Sequence, residues 1–165
     1  MSEKIRHRKS LRLKEFDYST NAAYFVTICS KNRANIFSSV VGAVHPDGPR
    51  AEPSAIGRIV EKHIQAIPNV YVNVFVDAYV IMPNHVHLIL RIDNPQGSAG
   101  CPTPTAELPK IISALKSLNS RDADISLWQR GYYEHICRDY RDYIDCCRYI
   151  DSNPSKWAED EYYSK

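Results

Sequence analysis

From Asp77 the chain reads Asp77-Ala78-Tyr79-Val80-Ile81-Met82-Pro83-Asn84-His85-Val86-His87-Leu88-Ile89-Leu90, its most apolar stretch, with two imidazoles inside it. β-Branched and large apolar residues, interrupted once by Pro-Asn, predict two adjacent strands or one kinked strand. Side chains alternate faces along a strand, so His85 and His87 share one side while Val86, Leu88 and Leu90 take the other. A buried imidazole needs a polar partner. Two of them side by side can grip one metal ion, or each can be satisfied by its own hydrogen bond. His-x-His is too short a pattern to decide between these, and no Glu or Cys sits beside it.

The 165 residues suit one domain with a real core, and 44% apolar with 24% charged residues excludes a disordered chain. No apolar run approaches the roughly 18 residues of a membrane span, and the polar amino terminus does not read as a secretory signal. Cys29, Cys101, Cys137, Cys146 and Cys147 show no zinc-finger spacing. An odd number of cysteines in such a chain points to a reducing cytoplasm. The net charge of +2 is unevenly placed. Lys4, Arg6, Arg8, Lys9, Arg12 and Lys14 face only Glu3 in the first fourteen residues. These read either as a solvated tail or as an arm attracted to phosphates, residues 1–20, ahead of a single domain over 21–165.

After the arm, Ala23 to Cys29 predicts a strand that is apolar on both faces and hence central. Val41 to Pro53 holds two Gly and three Pro and reads as an excursion without an element. Ile56, Ile59, Val60, His63, Ile64 and Ile67 form one helical stripe, with Ser54 as cap and Pro68-Asn69 as terminator. His63, on that stripe, reads as a packed residue. Val70 to Val76 and Ala78 to Ile92 supply two further strands, with Pro83-Asn84 as turn or kink. Asp93 to Thr105 is a connection of low hydrophobicity. Leu108, Ile111, Ile112, Leu115 and Leu118 mark a second helix, and Leu127 to Cys137 a fourth strand or extended segment. The order βαββαβ predicts an α+β fold, ferredoxin-like and shared with RNA-recognition domains. Its antiparallel sheet would carry helices on one face and leave the other open.

A terminal helix from near Asp139 to before Pro154 carries the stripe Tyr140, Tyr143, Ile144, Cys147 and Ile150. Tyr149 falls off that stripe, opposite Tyr140, and Asn153 lies one turn further on the same side. A phenol and an amide thus share a face.

Met82-Pro83-Asn84-His85-Val86-His87-Leu88 resembles the HUH motif of single-tyrosine transposases, the IS200-like family. Within it, Trp128-Gln129 and Tyr149-Ile150-Asp151-Ser152-Asn153-Pro154 resemble the REP-associated tyrosine transposases. Asp151 and Ser152 depart from that subgroup's usual pattern, which has a second apolar residue there. Tyr24-Phe25-Val26-Thr27 after the basic start is similar to the family's first strand. The resemblance runs from about residue 6 to residue 157. It implies cleavage and rejoining of single-stranded DNA at or near hairpins, through a 5′-phosphotyrosine and a free 3′-hydroxyl. Carried over by residue, it makes His85, His87 and Asn153 ligands of a divalent ion, Mg2+ or Mn2+. Tyr149 becomes the nucleophile, borne on the added C-terminal helix, in a monomer or homodimer. The basic arm, Lys4 to Lys14, would hold a hairpin or its flank. Two other classes remain open on the residues themselves. One is a small-molecule metal hydrolase, for which the chain is short. The other is a non-catalytic nucleic-acid module in which Tyr24, Phe25 and Tyr79 stack on bases.

Overall fold

A computed structural model describes residues 22–42, 48–93 and 104–163, with side chains in the last span from Leu108 onward. The basic residues Lys4, Arg6, Arg8, Lys9, Arg12 and Lys14 and most of the 93–105 connection lie outside these residues. In chain order the elements are β1 (Ala22–Cys29), β2 (Ser38–Val41), β3 (Arg50–Pro53), α1 (Ala55–Val70), β4 (Val74–Ile81), β5 (His85–Ile92), α2 (Pro104–Asp122), β6 (Tyr133–Cys137) and α3 (Tyr140–Ser152). The main sheet is antiparallel in the order β4-β5-β1-β6, the ferredoxin-like arrangement expected from the sequence.

At its centre, β1 and β5 pair from Ala22 against Ile92 to Cys29 against His85. The strand period then sorts the side chains. Tyr24, Val26, Ile28, Val86, Leu88 and Leu90 pack in one cluster with Val60, Ile64 and Ile67 of α1 and Ile111, Ile112 and Leu115 of α2. Each Val, Leu or Ile withdrawn from water in this way contributes about 1.5–3 kcal/mol. Ser54 caps α1 by accepting from the Gly57 N–H at 3.0 Å. The helix continues through Pro68 to Val70, beyond the expected stop. Pro68 gives up only its own N–H bond, and the Tyr71 N–H to Ile67 O bond of 3.0 Å closes the end. His63 is not merely packed: its Nε2 lies 2.8 Å from Asp122 Oδ2 and ties α1 to the end of α2.

Two further expectations change. The excursion from Val41 to Pro53 ends in a strand, β3, which pairs with β2 just ahead of it through backbone bonding, without any apolar alternation to announce them. The segment from Leu127 is a strand only from Tyr133. Ahead of it Trp128 makes a single bridge to Ser30, and Lys116 Nζ donates to the carbonyls of Gln129 (2.7 Å) and Gly131 (2.8 Å).

The second sheet face is not open. Phe25 and Ile89 are covered there by Ile150, Tyr143, Cys146 and Cys147 of α3. The packed stripe begins at Tyr143, and Tyr140, expected on it, is 79% exposed. Two bonds in the first turns of α3 fasten it to opposite sheet edges. Asp142 Oδ1 lies 2.9 Å from His135 Nε2 of β6. The Tyr143 hydroxyl donates at 3.1 Å to Asp77, which bulges from β4.

One glycine tests how closely α1 meets the chain ahead of it. Alanine raises helix propensity by about 1 kcal/mol over glycine. A Cβ at Gly57, however, would overlap the carbonyl oxygen of Phe37, which already accepts the Ser54 N–H at 2.8 Å. Gly57→Ala is therefore expected to lower stability by about 1–3 kcal/mol in denaturant unfolding. An unchanged or higher midpoint would contradict this packing.

Candidate active site

Register places Thr27 directly across from His87, and Thr27 Oγ1 lies 2.8 Å from His87 Nδ1. Asn84 performs the matching service for His85. Its Nδ2 donates to the carbonyls of Tyr162 (2.7 Å) and Arg33 (3.3 Å), so Oδ1 faces His85 Nδ1 at 2.9 Å. An amide oxygen requires a hydrogen on Nδ1, which leaves the lone pair of His85 on Nε2.

Both Nε2 atoms lack a hydrogen-bond partner, as does Oδ1 of Asn153. All three side chains are buried, at 0% exposure for His85, 1% for His87 and 2% for Asn153. A buried polar atom left unpaired costs about 1–3 kcal/mol, so three together ask for a cation or other partners. Burial first, then the Arg33 charge, push His85 down to about 4, against the opposing effect of the Asn153 amide. Burial and the neighbouring His85 hold His87 well below the usual imidazole range. Both rings are therefore neutral near pH 7, the form that ligates.

Asp160 joins this group, and sequence reading passed over it. Its Oδ2 lies 4.0 Å from His85 Nε2 and its side chain is 3% exposed. Ligand atoms of His85, His87 and Asp160 all fall within 4.8 Å of one another. Nothing in local spacing signals this residue. It arrives because a 3-10 turn, Pro154–Glu159, folds the chain back over His85. The Tyr162 ring then stands 4.6 Å from His85 and the Trp157 ring 6.0 Å. Imidazole nitrogens with amide and carboxylate oxygens form a donor set that fits a small divalent cation.

Tyr149 and Asn153, predicted to share a helix face, do meet this group. The Tyr149 ring centroid is 5.2 Å from that of His87 and 5.8 Å from that of Phe25. With Thr27, Glu161 and Tyr162 they line a cavity of about 670 Å³. Burial raises the Tyr149 phenol above its usual range, as do the Asp160 and Glu161 charges, with Asn153 working the other way. Positive charge in the cavity would reverse that. The aromatic side chains considered as stacking surfaces are engaged elsewhere. Tyr24 is 1% exposed under the helices, and Phe25 stacks on His87 at 5.1 Å. The Tyr79 hydroxyl is bonded to Glu61 at 3.0 Å and Gln65 at 2.9 Å.

No family model matches the chain. An uncharacterized protein of Haemophilus influenzae is 32% identical to it over 176 aligned residues, covering 96% of this chain and 94% of that protein. A second Haemophilus influenzae protein, provisionally assigned as a REP-associated tyrosine transposase, is 27% identical over 85 residues, 48% of each. Among solved structures, a REP-associated tyrosine transposase bound to a REP hairpin superposes with a TM-score of 0.61 at 17% identity, over 88% of this chain and 73% of that one. Among the described residues no helix is long and apolar enough to cross a membrane. The chain thus shares its fold with a REP-associated tyrosine transposase and is similar over about half its length to a protein provisionally assigned to that group.

Proposed function

We propose that this chain cuts and rejoins single-stranded DNA through a covalent bond between Tyr149 and a 5′ phosphate. His85, His87 and Asn153 would hold Mg2+ or Mn2+, with Asp160 within reach as a further donor. The observation that carries the reading is three buried, unpartnered polar atoms, His85 Nε2, His87 Nε2 and Asn153 Oδ1, gathered beside a half-exposed tyrosine. When bound, such an ion supplies positive charge at the phosphate oxygens and orients the phosphorus. Asn84 keeps the His85 Nε2 lone pair directed inward, and Thr27 holds the His87 ring in place. The Tyr149 phenol, with an ordinary pKa of about 10, gives up its proton as its oxygen bonds to phosphorus. The bond from phosphorus to the 3′ oxygen breaks, and that oxygen leaves as a hydroxyl by taking up one proton from water in exchange for the one the phenol releases to it. An incoming 3′-hydroxyl reverses these steps and joins strands. The Tyr149 ring stands against its own chain's His87, which supports catalysis within one chain. The hairpin held by the solved relative supports hairpin DNA as substrate.

Tyr149→Phe removes one hydroxyl. It is expected to keep folding and DNA binding nearly unchanged while abolishing the covalent protein–DNA adduct. Peptide mapping of an adduct trapped on the native chain should find DNA on Tyr149. DNA on Tyr140 or Tyr143 would overturn the assignment.

Asn84→Ala frees the His85 ring to turn and to take the other tautomer. Loss of such an orienting partner costs about 10–100-fold in metal affinity. Manganese titration of the variant is expected to show a drop of that size, and native affinity would remove Asn84 from this role.

The arm carrying Lys4, Arg6, Arg8, Lys9, Arg12 and Lys14 is proposed to bind DNA phosphates. Deleting residues 1–12 should weaken DNA binding and flatten its salt dependence by roughly 0.7–0.9 for each phosphate the chain no longer neutralises. An unchanged slope would assign the arm to solubility.

A further inference from the structure

A second group of metal-ligating side chains, separate from His85 and His87 but reaching the same cavity through His135 and Cys146, lies at the junction of β6 and α3. His135 and Cys137 stand two residues apart on β6 and therefore project to the same sheet face. Asp142 and Cys146 stand four apart on α3 and therefore lie one above the other on the helix. Three of these four side chains converge, and the fourth, Cys137, adjoins Cys146. Ligand atoms of His135, Asp142 and Cys146 fall within 4.8 Å of one another, and Cys137 Sγ lies 3.9 Å from Cys146 Sγ.

We propose that His135 Nε2, Asp142 Oδ1 and the sulfurs of Cys137 and Cys146 form a structural zinc site. Tetrahedral zinc with Zn–S bonds of about 2.3 Å sets its sulfurs about 3.8 Å apart. The observed 3.9 Å matches that edge and is far beyond the roughly 2.05 Å of a disulfide. The nitrogen-to-oxygen edge of such a site is about 3.3 Å. His135 Nε2 now lies 2.9 Å from Oδ1 and 3.0 Å from Oδ2 of Asp142, a hydrogen bond that the ion would replace. Asp142 Oδ2 already accepts the Arg138 N–H at 2.9 Å, which orients the carboxylate. His135 and Asp142 are part exposed, with side chains 34% and 27% accessible, so an ion can enter from solvent.

Donor chemistry separates this site from the first. Two thiolates select zinc or cobalt over magnesium or manganese, whereas imidazole with amide and carboxylate oxygens suits the harder ions. The ion would staple an edge strand to the helix three residues before Tyr149. This assignment stands independently of the DNA-cleavage reading.

The test uses the reduced, metal-free full chain titrated with Co2+ and then Zn2+. One thiolate-to-cobalt charge-transfer band per chain is expected, disappearing on zinc addition. The band should persist in the His85→Ala/His87→Ala double variant and vanish in Cys137→Ser and Cys146→Ser. On the native chain, which avoids any folding defect, zinc should protect Cys137 and Cys146 from alkylation, mapped by mass spectrometry, and leave Cys29 reactive. Absence of a thiolate band, a band that survives Cys146→Ser, a band missing from the double histidine variant, or unprotected Cys137 and Cys146 would each overturn the proposal.

Discussion

The pairing of β1 with β5 is the constraint from which the rest follows. Its register, fixed from Ala22–Ile92 to Cys29–His85, puts Thr27 across from His87. A slip of one residue would send both imidazoles into the helix-covered core and bring Val86 and Leu88 to the opposite face. The apolar side chains that hold α1 and α2 against the sheet therefore also fix where the two Nε2 atoms point. Stability and site geometry are set by one alternation, read from its two sides.

On that second face the structure places charge and polarity where the core does not need them. The Asn84 amide is oriented by the Tyr162 and Arg33 carbonyls and in turn orients His85. The turn after α3 closes over the ring, so His85 is withdrawn from water although its strand end lies near the edge of the pocket. An unpaired imidazole in such surroundings stays neutral because burial disfavours its charged form. Neutrality, direction and an unsatisfied lone pair thus have a common origin in packing.

Much of this was legible in the chain. His85 and His87 two apart in an apolar run, and Tyr149 four residues before Asn153, are periodic facts, and periodicity survives folding. The central strand, both amphipathic helices and the strand order follow from the same kind of pattern. What escaped notice depends on contacts between distant residues. Asp160 reaches His85 only because the chain turns back after Asn153, and Cys137 meets Cys146 only because α3 crosses the sheet. The covered face was missed because the length of α3 says nothing of the direction in which it leaves β6. The β2–β3 pair was missed because backbone bonding leaves no mark on side-chain order.

The two bonds that fasten α3 to the sheet edges, Asp142 with His135 and Tyr143 with Asp77, both lie in its opening turns. Tyr149 follows Asp142 by seven residues, which at 1.5 Å per residue is a lever arm of about 10 Å. A tilt of about 5° at the fastened end would then swing the phenol by about 1 Å, a displacement that can cost on the order of 10²-fold in rate when reacting atoms must align. The angular stiffness of those two bonds, together with the burial of Ile150 and the ring contacts to His87 and Phe25, sets the positional tolerance of the tyrosine.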